Sequence, residues 1–266
     1  MTETIRLYFR YAGVCLRSKM QYRASFVMLT VGQFLGLLTE ALAVLFLFQR
    51  FGNLKGWSLP EVGLLYGLTH ASFAMAEGFA RGFDQFSGMI RDGGFDRILV
   101  RPRSTTLQIA GSDFDGRIGR LMLGVSIIVW SLTQIHVVWS LTRLILIFSI
   151  LAGTTCLFYG LFVIQAALCF WTVEGLEIMN AVTYGGAETG SYPLSIYRTW
   201  FQHLFTYVVP LGWITYFPAI ILLGRPNESP LPSPLLWISP VVGVAFLCAC
   251  FSLWNLGVRR YSSTGS

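Results

Sequence analysis

GGFDRILVRPR, Gly93 to Arg103, is a short charged segment opened by two glycines and closed by a proline, lying between two long apolar regions. Gly93 and Gly94 allow backbone angles that other residues avoid, and Pro102 holds Arg101 out of helical geometry, so only one or two turns of helix fit between them. On that helix Phe95, Ile98 and Leu99 share one face, while Asp96, Arg97 and Arg101 point elsewhere. Such a helix either lies along a membrane surface or sets its apolar face into the groove of a partner. Its surroundings decide the class of fold to which it belongs.

Those surroundings are mostly lipid-soluble. Apolar residues make up 54% of the 266 positions and charged residues only 12%, where a soluble domain carries roughly 25% charged residues. Apolar runs long enough to cross a bilayer consume most of the length and leave no sizeable soluble domain. The net charge of +6 does not indicate nucleic acid, because the arginines flank the apolar runs and form no stripe interleaved with aromatics. Cys15, Cys156, Cys169, Cys248 and Cys250 include no CxxC pair, and His70, His136 and His203 lie far apart in sequence, so neither a disulfide framework nor a metal site is expected. The first apolar run lacks a small-residue cleavage site and reads as a retained span.

Outward from the charged segment, the chain divides into six expected crossings. A basic amphipathic helix over about 4–20, with Ile5, Tyr8, Phe9, Ala12, Cys15 and Leu16 opposite Arg6, Arg10 and Arg17, is expected to lie on the membrane. The first crossing runs from about Phe26 to Phe48 and the second from Val62 to Phe83. A loop over about 84–116 follows, then crossings at Arg117–Val138 and Leu141–Trp171. Apolarity alone makes Phe201–Leu223 the fifth. The alternative makes Thr172–Tyr192 a polar-lined crossing and Ile196–Leu222 a hairpin turning near Pro210, because Pro193, Pro210, Pro218 and Gly212 interrupt any straight helix. The last crossing runs from about Leu235 to Gly257, after the SPLPSP loop. Lys and Arg cluster on the side of the 84–116 loop, which places both termini in the cytoplasm.

Within these spans Glu40, His70, Glu77, Glu174 and Glu177 are candidate pathway residues, and Glu188 is a further intramembrane carboxylate. A carboxylate near mid-span costs about 2.5 to 3.5 kcal/mol, so each must face protein or water. Satisfaction by a neighbouring helix explains them equally well. Glu40, His70 and Glu77 are too scattered in sequence to indicate a catalytic cluster.

Several strings occur in order: QYRASF, GWSLPEVGLLYGL, GGFDRILVRPRSTTLQ, FW at Phe170 and Trp171, YPLSIYRTW from Tyr192 and Pro193, and VVPLGWITYFPAIILLGR. Together they resemble the six-helix permeases of ABC-2 type exporters, in the branch that includes viologen exporters. The resemblance implies an all-α integral membrane fold with six transmembrane helices in a single domain over 1–266. It also implies an N-terminal interfacial helix, a coupling helix within Ile90–Leu99 and an outer re-entrant hairpin at about 196–223. The coupling contacts would be Phe95, Asp96, Arg97, Ile98, Leu99, Arg101 and Pro102, and the hairpin would be framed by Tyr192, Pro193, Pro210 and Pro218. The sequence has no GxxxxGK[ST] loop, so the chain is not expected to be an enzyme or to bind a cofactor, and ATP and Mg would be used by a partner ATPase. A second permease chain, homologous or identical, would complete the unit in a bacterial inner membrane. An ion-coupled secondary transporter is the alternative, although no inverted repeat or matched pair of broken spans supports it.

Overall fold

The long apolar runs fold as helices in the computed structural model, which describes residues 2–135, 140–172, 176–225 and 238–262. Helix α1 (Thr2–Gln21) is separated by Tyr22 from α2 (Arg23–Phe51), and α3 (Leu59–Asp84) follows a short turn. Three six-residue helices, α4 (Phe86–Arg91), α5 (Gly94–Leu99) and α6 (Thr105–Ala110), occupy what the sequence suggested was a loop. Next come α7 (Ile118–Gln134), α8 (Leu141–Leu168) and α9 (Leu176–Gly190). The chain then forms α10 (Thr199–His203), α11 (Phe217–Leu222) and α12 (Ser239–Arg260). No β-strand occurs among the described residues.

Helices α2, α8 and α12 are long and apolar enough to cross a membrane. Helix α3 has 26 residues but carries Glu61, Glu77, Arg81 and Asp84, which lower its apolarity. It is nevertheless the centre of the bundle, buried without a break from Val62 to Ala74. One side packs Leu64, Leu68 and Ala71 against Ile128 and Leu132 of α7 and Ile147 and Ile150 of α8. Phe73 meets Phe158 and Phe162 of α8 at centroid distances of 5.0 and 5.9 Å. Its polar groups therefore face protein rather than lipid. The helix starts at Ser58, whose backbone N–H and hydroxyl each donate to Glu61 at 2.8 Å, with Pro60 in the first turn. By contrast α2 buries only Leu37, Val44 and Phe48.

The straight fifth crossing over Phe201–Leu223 is not formed. Helix α10 continues as a π-helical turn at Leu204–Val208, and a second π-helical turn at Gly212–Tyr216 leads into α11. The two arms meet at 84°. Pro210 stands in the break, where it has no N–H to donate and a fixed φ. Pro218 lies in the first turn of α11, where the missing N–H is tolerated. The bend is a right-angled elbow rather than a full reversal. Tyr192 is half-buried, and Pro193 is extended between α9 and a single 3₁₀ turn at Leu194–Ile196.

Helix α1 matches its amphipathic reading. Ala12 is buried, the Tyr8 hydroxyl donates to the Phe79 carbonyl at 3.1 Å, and Arg6, Arg10 and Arg17 are exposed. Burial pushes the Tyr8 phenol pKa up to about 12, so the group remains a donor.

Candidate functional site

Two polar clusters sit on α3. The first brings together Glu40 of α2, His70 of α3 and Glu188 of α9, with one ligand-type atom from each lying within 4.8 Å of the others. His70 is 2% exposed, while both carboxylate residues are exposed. The His70 Nε2 and the Ser191 hydroxyl are 3.1 Å apart, and Ser191 donates to the Ala187 carbonyl at 2.8 Å. Tyr66 lies against the imidazole at 4.2 Å between centroids, and its hydroxyl reaches the Leu37 carbonyl at 3.1 Å and Glu40 at 3.5 Å. The Thr69 hydroxyl donates to the Gly190 carbonyl at 2.8 Å, fixing the end of α9 to α3. Among the described residues neither Glu40 nor Glu188 forms a salt bridge.

The second cluster surrounds Glu77, which is 3% exposed. Its carboxylate pairs with Arg117 at 2.6 Å, Arg120 at 3.5 Å and Arg81 at 3.9 Å. Arg81 also holds Asp84 at 2.6 Å and reaches Asp113 at 3.9 Å, Asp113 pairs with Lys19 of α1 at 2.8 Å, and Arg117 lies 3.5 Å from Asp115. The network requires the segment after α6 to press against α3. Gly78 and Gly82 allow this, because a Cβ at Gly78 would come within 2.7 Å of the Asp115 carbonyl oxygen and one at Gly82 would strike that of Ile109.

Helix α5 lies beyond that end of α3. Gly93 adopts a left-handed φ of 62° and separates α5 from α4, so Ile90 belongs to the preceding helix. Phe95 is fully buried, edge-on to Phe86 at 5.1 Å and Tyr261 at 5.0 Å and tilted against Phe170 at 5.4 Å. Trp254 of α12 closes this aromatic cluster, 4.9 Å from Phe86 and 5.2 Å from Phe170. Asp96 lies beside Tyr261, where it adds to the effect of burial in raising the phenol pKa. Leu99 is 41% and Val100 83% exposed, and Arg97, Arg101 and Pro102 are exposed as well.

Residues 34–265 match the family described as ABC-2 family transporter protein. The chain belongs to that family. No curated protein and no solved structure matches the chain. Membership and the long apolar helices make this ABC-2 chain a membrane protein of the permease class of a transporter.

The fold changes several residue assignments in the ABC-2 chain. Phe95 and Ile98 were expected to join Leu99 in a docking face. Phe95 is fully buried and Ile98 is 8% exposed, both within the chain's own core. The apolar residues Phe95 and Ile98 of α5 are thus satisfied internally, while Arg97 and the helix end at Leu99 face outward. Glu77 was expected as a pathway residue, but three arginines surround it. Glu177 is exposed in the first turn of α9 and belongs to neither cluster, and Glu174 lies outside the described residues. Glu40 and His70 were expected to be too scattered to form a cluster, yet they meet through Glu188. Sequence spacing could not show this, because the three residues stand on three helices. Tyr66 and Ser191 had no sequence signal either, since a tyrosine or serine in a span reads as packing.

Proposed function

We propose that the chain is the membrane-spanning subunit of an ATP-driven exporter whose ATP is hydrolysed, with Mg, by a separate subunit docking on the exposed end of α5. The observation that carries this reading is the two-sided nature of that helix. Phe95 is anchored in an aromatic cluster joining α5 to Phe170 and Trp254, while Leu99, Val100, Arg101 and Pro102 project from it. A short helix fixed by one side and exposed at the other can transmit a push from a partner to the bundle. ATP-driven closure of the partner would then switch two permease chains between inward-open and outward-open packing.

In this reading α2, α3, α7, α8, α9 and α12 are the six crossings of a bacterial inner membrane, with both termini and α5 in the cytoplasm and the elbow at Pro210 dipping in from outside. The excess of Lys and Arg at the α5 end supports that orientation. Copurification of the ATPase with the permease tests it. Leu99→Asp should abolish association and ATP-driven transport while membrane abundance stays at the wild-type level, because an exposed residue contributes little to folding. Phe95→Asp should instead lower abundance, since it places a charge in an apolar cluster. Full association of Leu99→Asp, with transport retained, would remove α5 from the coupling role.

The carboxylates at Glu40 and Glu188, which form no salt bridge, favour a second reading as an ion-coupled transporter. Transport by the isolated chain in vesicles with a proton gradient and no ATPase would establish that reading. Dependence on the ATPase and ATP would exclude it.

A further inference from the structure

The cluster at Glu40, His70 and Glu188 has a hydrogen-bonding pattern that helix packing does not account for. Ser191 has one hydroxyl proton, and it is directed to the Ala187 carbonyl at 2.8 Å. With the proton so placed, its oxygen accepts from His70 Nε2, at 3.1 Å, in the Nε2–H tautomer. That places the imidazole proton on Nε2 and leaves Nδ1 with a lone pair. Nδ1 is buried and has no hydrogen-bond partner. Two carboxylates, acceptors when ionised, stand within 4.8 Å of the imidazole. The nearby Tyr66 hydroxyl is shared with the Leu37 carbonyl. The cluster is thus a convergence of lone pairs in which the Tyr66 hydroxyl is the donor to Glu40, and Arg120, the nearby cation, is paired with Glu77 instead.

We propose that Glu40, His70 and Glu188 bind a single divalent transition-metal ion of the zinc class. One imidazole nitrogen with two carboxylate oxygens is a donor set suited to zinc and its neighbours and poorly suited to magnesium or calcium, which take oxygen alone. The Nε2–H to Ser191 bond is the outer-shell contact that metal-bound histidines ordinarily make, and it fixes ring and tautomer. At zinc bond lengths three such ligands stand about 3.4 Å apart, so the cluster, whose ligand atoms lie within 4.8 Å of one another, must contract by up to about 1.4 Å. Glu40 and Glu188 are exposed, and among the described residues no salt bridge holds them, so a small side-chain rotation can bring them inward. Bound metal would join α2, α3 and α9 at one point.

The test uses the full chain reconstituted in lipid nanodiscs, loaded with Zn²⁺ and passed through gel filtration, with retained metal counted by mass spectrometry. Co²⁺ loading in parallel reports the ligand set by its visible spectrum. One equivalent of zinc should be retained, and the cobalt form should show d–d bands without thiolate charge transfer. Glu188→Gln and Glu40→Gln should each weaken binding more than tenfold, and both alter exposed residues that the fold tolerates. Ser191→Ala should weaken it by about 10- to 100-fold without touching the metal. His203→Ala should leave it unchanged, and millimolar Mg²⁺ should not compete. No retained zinc, zinc that survives the Glu40→Gln, Glu188→Gln double variant, or a thiolate spectrum would overturn the proposal.

Discussion

At Glu77 four carboxylates, those of Glu77, Asp84, Asp113 and Asp115, meet the four cations Lys19, Arg81, Arg117 and Arg120. At His70, two turns earlier on the same helix, two carboxylates meet an imidazole with no salt bridge among the described residues, and Arg120 reaches them only through its longer-range charge. The first group is balanced and ties α1, α3, α7 and the segment between α6 and α7 together. The second is unbalanced, and its carboxylates remain exposed. Charge that is paired in salt bridges holds a structure in one arrangement, whereas carboxylates converging on an imidazole without a salt bridge leave room for something to arrive. The burial of His70 and of Glu77 is nearly the same, so burial alone does not separate the two roles. Their partners do.

The largest effect should follow from breaking the balanced cluster. Glu77→Ala leaves Arg117 and Arg120 without their shared carboxylate and should destabilise the chain by about 3 to 5 kcal/mol, read as a fall in thermal unfolding temperature and membrane abundance. A wild-type unfolding temperature would show that the network is not structural. A smaller loss is expected from Gly82→Ala, whose added methyl collides with the Ile109 carbonyl and pushes away the segment that brings Asp113 and Asp115 into the network. Overpacking of this kind costs about 1 to 3 kcal/mol. Combining it with Glu77→Ala sharpens the comparison, because the two losses should add to less than their sum if they act through one network. The smallest effect belongs to the unbalanced cluster. Glu188→Gln removes an exposed charge that no salt bridge among the described residues holds, and should change stability by no more than about 0.5 kcal/mol in the absence of metal. A loss comparable to that of Glu77→Ala would place Glu188 in a structural role and erase the distinction.

The sequence revealed what depends on short-range pattern. The amphipathic period of α1, the apolar lengths of α2, α8 and α12, and the interruption at Pro210 are each written in neighbouring residues, and each appears in the structure. The position of α3 was harder to read. Its four charged residues make it look less like a membrane span than α2, yet it is more deeply buried, because polarity that lipid would reject is accepted inside a bundle. The face of α5 was legible but its partner was not. Helical spacing shows that Phe95 and Ile98 need cover, and it cannot show that Phe86, Phe170, Trp254 and Tyr261 supply it. Glu40, His70 and Glu188 were invisible as a group for a related reason. Each belongs to a different helix, and only the packing of three helices gives them a common centre.

Helix α5 also separates two kinds of heritable constraint. Phe95 is held by rings from three other parts of the chain, so a change there must be matched elsewhere. Val100, one residue beyond the helix, has most of its surface free and owes little to the interior. After a gene duplication, two copies of this chain can therefore drift apart at 99–103 without first rebuilding the scaffold beneath.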